Sequence, residues 1–200
     1  MSSNDEEFKG HYRKEAKTSI VRTASGAIAS AKKFASLDEL LASFIPYDTM
    51  KKNHPKIIVK AGDEKAAKAA PGKRLPEERH NVEVDCWLHH VKGEGDDDFH
   101  VIVGSSPDAT KAAFLNVEIS GLPAGGKDLK VLTKARQQLN ALVQQPIPKK
   151  KYEDVTPPLK VRIKGSLFFD GDHLPGKIGP GKDKAQTVWE IHPVISIKAL

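Results

Sequence analysis

The stretch "LFFDGDHLPGKIGPGKDKAQTVWEIHPV", Leu167 to Val194, sets Asp170, Asp172 and His173 before a Gly/Pro/Lys loop and Glu190 and His192 after it. Imidazoles beside carboxylates can ligate a metal, pair a general base with its orienting acid, hold a ligand, or fix a loop. Glu190 and His192 stand two residues apart. A regular strand therefore turns both to one face and Trp189, Ile191 and Ile195 to the other. Pro193, which lacks an N–H donor, predicts an edge position or a barrel mouth.

The chain that positions these groups has 200 residues, enough for one domain with a real core. A hydrophobic content of 38% and a mean hydropathy of -0.45 are low, so part of the chain is expected to be solvated tail or linker. No apolar run approaches the roughly 18 residues of a membrane span. The start, "MSSNDEEFKGHYRKEAK", is acidic then basic without an apolar centre, so no secretory signal is read and a cytoplasmic location is the default. A lone cysteine excludes an internal disulfide; Cys86, beside Val84, Trp87 and Leu88, reads as a buried strand thiol. The net charge of +6 invites a nucleic-acid reading, but its location weakens it. Residues 1–80 hold 16 Lys and Arg against 11 Asp and Glu, while residues 81–200 hold 16 against 15.

Along the chain, residues 1–55 read as a flexible basic arm carrying one short amphipathic helix. In "ASLDELLASFIPYD", Ser36 caps that helix with Glu39 at the third following position, and Leu37, Leu40, Leu41 and Phe44 share a face that docks on the core or binds a protein partner. Met50 to Asn81 reads as a linker with one edge strand, "KIIVKAG". Residues 56–200 form the domain proper. "VEVDCWLHHV" alternates, with Val82, Val84, Cys86 and Leu88 inward; "FHVIVGSS" and "AAFLNVEISGLP" follow as strands. "GGKDLKVLTKARQQLNALVQQP" is an amphipathic helix, and "LKVRIKGSLFFD" and "TVWEIHPVISIKAL" close the series. Three strands, a helix and two strands predict a mainly β fold: a five-stranded OB-like small barrel with one helix between strands 3 and 4. Gly165 suits a bend at a barrel corner.

Four ordered segments, "DDDFHVIV", "FLNVEISGLP", "VRIKGSLFFDGDH" and "WEIHPVISI", resemble a family of bacterial proteins of unknown function. That family carries Asp-x-Asp-aromatic-His, a Glu before a Pro, Gly-x-x-Phe-Phe-Asp-x-x-His and Glu-Leu/Ile-His-Pro-Val. The resemblance spans about 120 residues, Val82 to Ala199. It departs after His173, where a longer Lys-rich loop replaces Gly-Gln, and at the start, where many members carry an export signal. By matching position, the resemblance picks out Asp96, Asp98, His100, Glu118, Asp170, His173, Glu190 and His192.

Three imidazoles with several carboxylates suit zinc, manganese or non-haem iron, so a divalent metal is the cofactor such a set would take. His100 is out of phase with Phe99, Val101 and Val103, and Glu118 with Val117 and Ile119, so neighbouring strands bring the two to one face. The pair suits a structural or a functional role, as do His173 on its loop and Glu190 with His192. No His-Glu-x-x-His, Cys-x-x-Cys or calcium-loop spacing is present, and "GKIGPGKDK" precedes no helix start, so it is not a phosphate loop. The acidic tip "GEGDDD" is expected to be solvated.

The loop between the first two strands carries Glu94 and Asp96 to Asp98, and the last loop carries Lys177, Lys182 and Lys184. Mixed flanks suit nonspecific single-strand binding poorly. Weak polyanion binding falls instead to the basic arm and the Lys149–Lys151 run. Three functions remain: a non-catalytic small-barrel binding domain of unknown ligand with a His/Glu/Asp face, a metal-dependent hydrolase of phosphodiesterase or nuclease type, and a structural or assembly protein joined through the Leu37–Phe44 helix. The first is preferred. Convergence of His100, Glu118, His173 and His192 on one open pocket would favour the second.

Overall fold

The computed structural model describes residues 10–60 and 62–200. Residues 1–9 of the expected arm and Ala61 of the expected edge strand lie outside the described residues. Sheet dominates the fold. The strands are β1 (Ala31–Phe34), β2 (Asn81–Gly93), β3 (Phe99–Gly104), β4 (Phe114–Ile119), β5 (Glu153–Phe169) and β6 (Trp189–Ala199). They form one mixed six-stranded sheet in the order β1-β2-β3-β4-β6-β5, and an added β2–β5 pairing joins the last five into a ring.

The helices are α1 (Lys14–Thr18), α2 (Leu37–Ala42), α3 (Tyr47–Asn53), α4 (Glu64–Ala69) and α5 (Leu129–Val143). A single helix between strands 3 and 4 is therefore not what forms. The parallel β1–β2 pair adds a strand at the front, so α5 follows β4, and four shorter helices precede β2. The expected linker contains α4 and part of α3, and "KIIVKAG" is no strand: Pro55–Ile57 is a 3-10 turn, with Ile57 and Val59 buried. Its apolar residues pack into the two cores instead of joining a ladder, Ile57 and Ile58 against the main one and Val59 against Phe168.

Alternation decides which strand residues fill the main core. Val82, Val84, Cys86 and Leu88 of β2 are buried together, and a register slip between Leu88 and His90 turns Val91 inward as well. Val161, Ile163 and Leu167 of β5 join them with Val117, Ile119, Trp189 and Ile191. Gly165 sits where the β5–β6 register slips twice, and a Cβ there would stand 2.4 Å from the Ile191 side chain and 2.6 Å from the Pro193 carbonyl. Only glycine permits that approach. The same slip puts Val194 in the core in place of Ile195, which is half-buried. Pro193 is not on an edge, since β6 lies between β4 and β5; it sits at this irregularity in the ladder.

Within the expected flexible arm, residues 12–20 and Phe34 are packed, while residues 23–27 are exposed. Tyr12, Ala16 and Ile20 are buried, with Tyr12 and Ala16 against Val59 and Phe168 in a second apolar cluster. The clamp is ionic: Arg13 donates to both carboxylate oxygens of Glu78 at 2.6 and 2.7 Å, and neither side chain is exposed. Glu78 also accepts from the Phe169 and Leu75 amides at 2.9 and 2.6 Å, and Arg13 reaches the Phe169, Pro71 and Lys73 carbonyls. Arg74 adds bonds to the Ala16, Ser19, His192 and Leu167 carbonyls. A buried pair with its remaining polar atoms satisfied holds three chain segments in one place.

The α2 helix is capped as its sequence predicts, with Ser36 accepting from the Glu39 amide, while Glu39 itself accepts from Ala35. Leu37 and Leu40 are buried and Leu41 and Phe44 pack beside them, so its apolar face is used within the chain rather than left open for a partner. No helix among the described residues is long and apolar enough to cross a membrane.

Glu78→Gln is expected to leave the Arg13 guanidinium buried without its counter-charge and to lower unfolding free energy by about 3 kcal/mol or more, read from urea melts.

Candidate functional site

The strand order brings the polar residues to the face opposite the main core. His100 and Glu118 are direct cross-strand partners on β3 and β4, with His100 Nε2 2.9 Å from Glu118 Oε1. Parallel pairing of Val117 with Ile191 sets β6 beside β4 and carries Glu190 and His192 to the same place. His192 Nδ1 lies 3.0 Å from Glu118 Oε2 and 3.7 Å from Glu190 Oε2, and its Nε2 lies 3.5 Å from Asp98 Oδ2. Asp170 and His173 form a second pair at the end of β5, Nδ1 to Oδ2 at 2.7 Å. Of the eight residues singled out from the sequence, His100, Glu118, Asp170, His173, Glu190 and His192 thus gather in one region, His173 at its half-exposed rim, and Asp98 joins them beside His192.

Asp98 corrects an expectation. The "GEGDDD" tip is not wholly solvated: Asp97 and Asp98 are buried. Arg136 of α5 donates to the Asp97 and Ser120 carbonyls, Lys149 pairs with Asp97 at 3.3 Å, and the Gly121 amide donates to Asp98 Oδ1 at 2.6 Å. The amphipathic helix thereby turns one acid of the hairpin inward.

Sequence reasoning missed three contributors. Asn116 donates at 2.8 Å to both Glu118 Oε1 and Glu190 Oε1, and an Asn two residues before Glu118 in an apolar strand was a usable signal. Tyr12 donates to the Ile57 carbonyl and accepts from the Gly171 amide, fixing the backbone beside Asp170; a Cβ on Gly171 would meet the Ile57 carbonyl at 2.2 Å. Lys17, on α1, is buried and faces the carboxylates, 4.0 Å from Asp96. Nothing in the local pattern marks it.

Asp98, Glu118, Asp170 and Glu190 are at most 1% exposed, so their charges interact strongly. Burial, reinforced by Asp96 and Glu118, pushes the Asp98 carboxyl well above its ordinary range. Burial likewise raises Glu190, with Glu118 and Asp170 adding to it. For Glu118 burial acts upward, but His100, His192 and Lys17 outweigh it and hold the group well below the usual range. Lys17 loses hydration yet is raised by Glu118, Asp170, Asp98 and Asp96. Burial depresses His192, whereas Glu118 overcomes burial at His100 and raises it.

Several atoms in this centre lack partners. Asp98 Oδ2, Glu118 Oε2, Glu190 Oε2 and both His192 ring nitrogens are buried without a hydrogen bond; the 3.0 Å contact of His192 with Glu118 is misaligned for one. One ligand atom each from Asp98, Glu118 and His192 lies within 4.8 Å of the others, a spacing and donor set that fit one divalent cation. His100, Asp170 and His173 stand outside that trio.

Beside the centre opens a pocket of about 620 Å³ lined by Lys17, Glu94, Asp96, His100, Tyr152, His173 and Lys177 among others. Asp98, Glu118 and His192 do not line it, though His100, which does, reaches Glu118 at 2.9 Å. Cys86 is buried in the main core with its thiol pushed up by burial, which agrees with an unreactive strand cysteine.

The hydrogen bond that His173 donates to Asp170, against a smaller opposing effect of burial, raises His173 to about 9. A histidine raised above its unfolded value near 6.5 contributes stability below that pH and loses it as pH rises through about 9. NMR titration of His173 should therefore show a midpoint near 9, falling toward 6.5 in Asp170→Asn. No protein-family model, curated protein or solved structure matches this chain.

Proposed function

We propose that this chain is a ligand-binding domain of OB-like barrel topology, with the pocket as its ligand site and a buried divalent cation as its structural centre. The five-strand ring β2-β3-β4-β6-β5 supports the OB-like reading, because it pairs the third strand of the ring's sequence order with the fifth and the first with the fourth. The observation that carries the metal is the set of orphaned donor atoms on Asp98, Glu118 and His192. Buried polar atoms without partners cost free energy, and a cation at their common centre would satisfy them. Enclosure favours a structural ion, since catalytic metals keep a position open to substrate.

A second reading is a metal-dependent hydrolase of phosphodiesterase type. It is favoured by two His–carboxylate pairs, His100 with Glu118 and His173 with Asp170, whose imidazoles line one pocket. That arrangement resembles a general acid and base with their orienting groups. The resemblance to bacterial proteins of unknown function belongs to the same proposal, since its ordered motifs contribute every member of the site named above except Tyr12, Asn116 and Lys17. Assembly through α2 has less support, because its apolar face is covered.

Elemental analysis of the purified, tag-free protein is expected to give near-stoichiometric zinc, manganese or iron, lost in Asp98→Asn and in His192→Ala. Chelation should lower thermal stability, since a ligand at about 100 times its dissociation constant adds about 2.7 kcal/mol. Asp98 must give up its proton to ligate, so metal content should fall as pH is lowered. No metal at neutral pH after growth and dialysis with each of the three ions would overturn the metal reading.

A further inference from the structure

We propose that the pocket takes a small phosphate ester, with its phosphate against the Lys17 ammonium and its organic part against Tyr152 and Ile178. This rests on the reading of the pocket as the ligand site, and it names the class of ligand.

Lys17 is 7% exposed and lines the pocket, yet its single ion-pair partner among the described residues is Asp96 at 4.0 Å, beyond hydrogen-bonding distance. A buried ammonium carries three donors, and these are left without a close acceptor. His173 and Lys177 approach the same space from the β5–β6 loop. Donors arriving from separate chain segments match a group with three anionic oxygens better than a planar carboxylate with two.

Four carboxylates line the wall, Glu64, Glu94, Asp96 and Asp172, against the Lys17, Lys92 and Lys177 ammonium groups and the His11, His100 and His173 imidazoles, and Glu64 pairs outside the lining with Lys68 at 3.9 Å. Glu94 is engaged by Lys92 at 2.7 Å and His100 at 3.2 Å. Asp96 stands across from Lys17 and accepts from the Asp98 amide at 3.4 Å, so it orients the hairpin as well as the ammonium. The volume of about 620 Å³ exceeds the need of an inorganic ion and falls in the range of small-molecule sites. Tyr152 and Ile178 supply the apolar wall on which the ester's organic part would lie.

The test is calorimetric titration of the full chain with adenosine monophosphate, adenosine and inorganic phosphate, with metal content measured on the same sample. The expected result is that the monophosphate binds at least tenfold more tightly than adenosine, that phosphate competes with it, and that Lys17→Met weakens it at least tenfold. Should Lys17→Met fail to fold, the rim double variant His173→Gln/Lys177→Gln decides, with an expected loss of at least threefold. Equal binding of monophosphate and adenosine, no binding of any of the three, or unchanged affinity in the folded variants would overturn the proposal. A metal-loaded protein that ignores phosphate would overturn this inference and leave the metal centre standing. A metal-free protein that binds the monophosphate through Lys17 would do the reverse.

Discussion

Four carboxylates removed from water constrain everything around them. Asp98, Glu118, Asp170 and Glu190 lie at most 1% exposed within one region, and an ionised carboxylate without solvent costs several kcal/mol unless charge and hydrogen bonds replace the water. The chain answers in two ways. Lys17, His100 and His173 bring compensating positive charge, and Asp98 and Glu190 shift toward their protonated forms. The β3–β4 register follows from the same demand, because a slip of one residue would drive His100 and Glu118 into the apolar core and expose Val101 and Val117.

The amino-terminal segment supplies what the sheet lacks. A ring of strands alone leaves its polar face bare, and Tyr12, Ala16 and Lys17 cover part of that face beside Phe168. Arg13 holds the cover in place through Glu78, and Arg74 bonds its carbonyls to the strand carbonyl of His192 through one shared guanidinium. Local helix propensity could not do this, since α1 has five residues and is too short to be stable unaided. Fold and site are thus stabilised by the same contacts.

The site has two layers with different chemistry. Asp98, Glu118, Glu190 and His192 form an inner layer that excludes solvent and suits a fixed cation. His100, His173 and Lys17 face both this layer and the pocket, so a charge change on either side alters the field on the other. That coupling lets one set of residues serve both the buried centre and an incoming ligand.

Features governed by local periodicity were legible along the chain. Alternation placed Val82, Val84, Cys86 and Leu88 inward, paired Glu190 with His192 on one face, and set His100 and Glu118 out of phase with their apolar neighbours. The apolar stripe marked α5, and capping and turn chemistry marked the Ser36 cap and the bend at Gly165. Tertiary structure alone decided that residues 12–20 and Phe34 pack rather than trail, that Ala31–Phe34 rather than "KIIVKAG" joins the sheet, and that Val194 replaces Ile195 in the core. It also decided that Asp98 turns inward and that Lys17 comes within electrostatic reach of Glu118 from 101 residues away in sequence. The physical reason is range: side-chain period reports which way a residue faces within its own element, whereas charge compensation and close backbone approach join segments whose separation leaves no periodic trace.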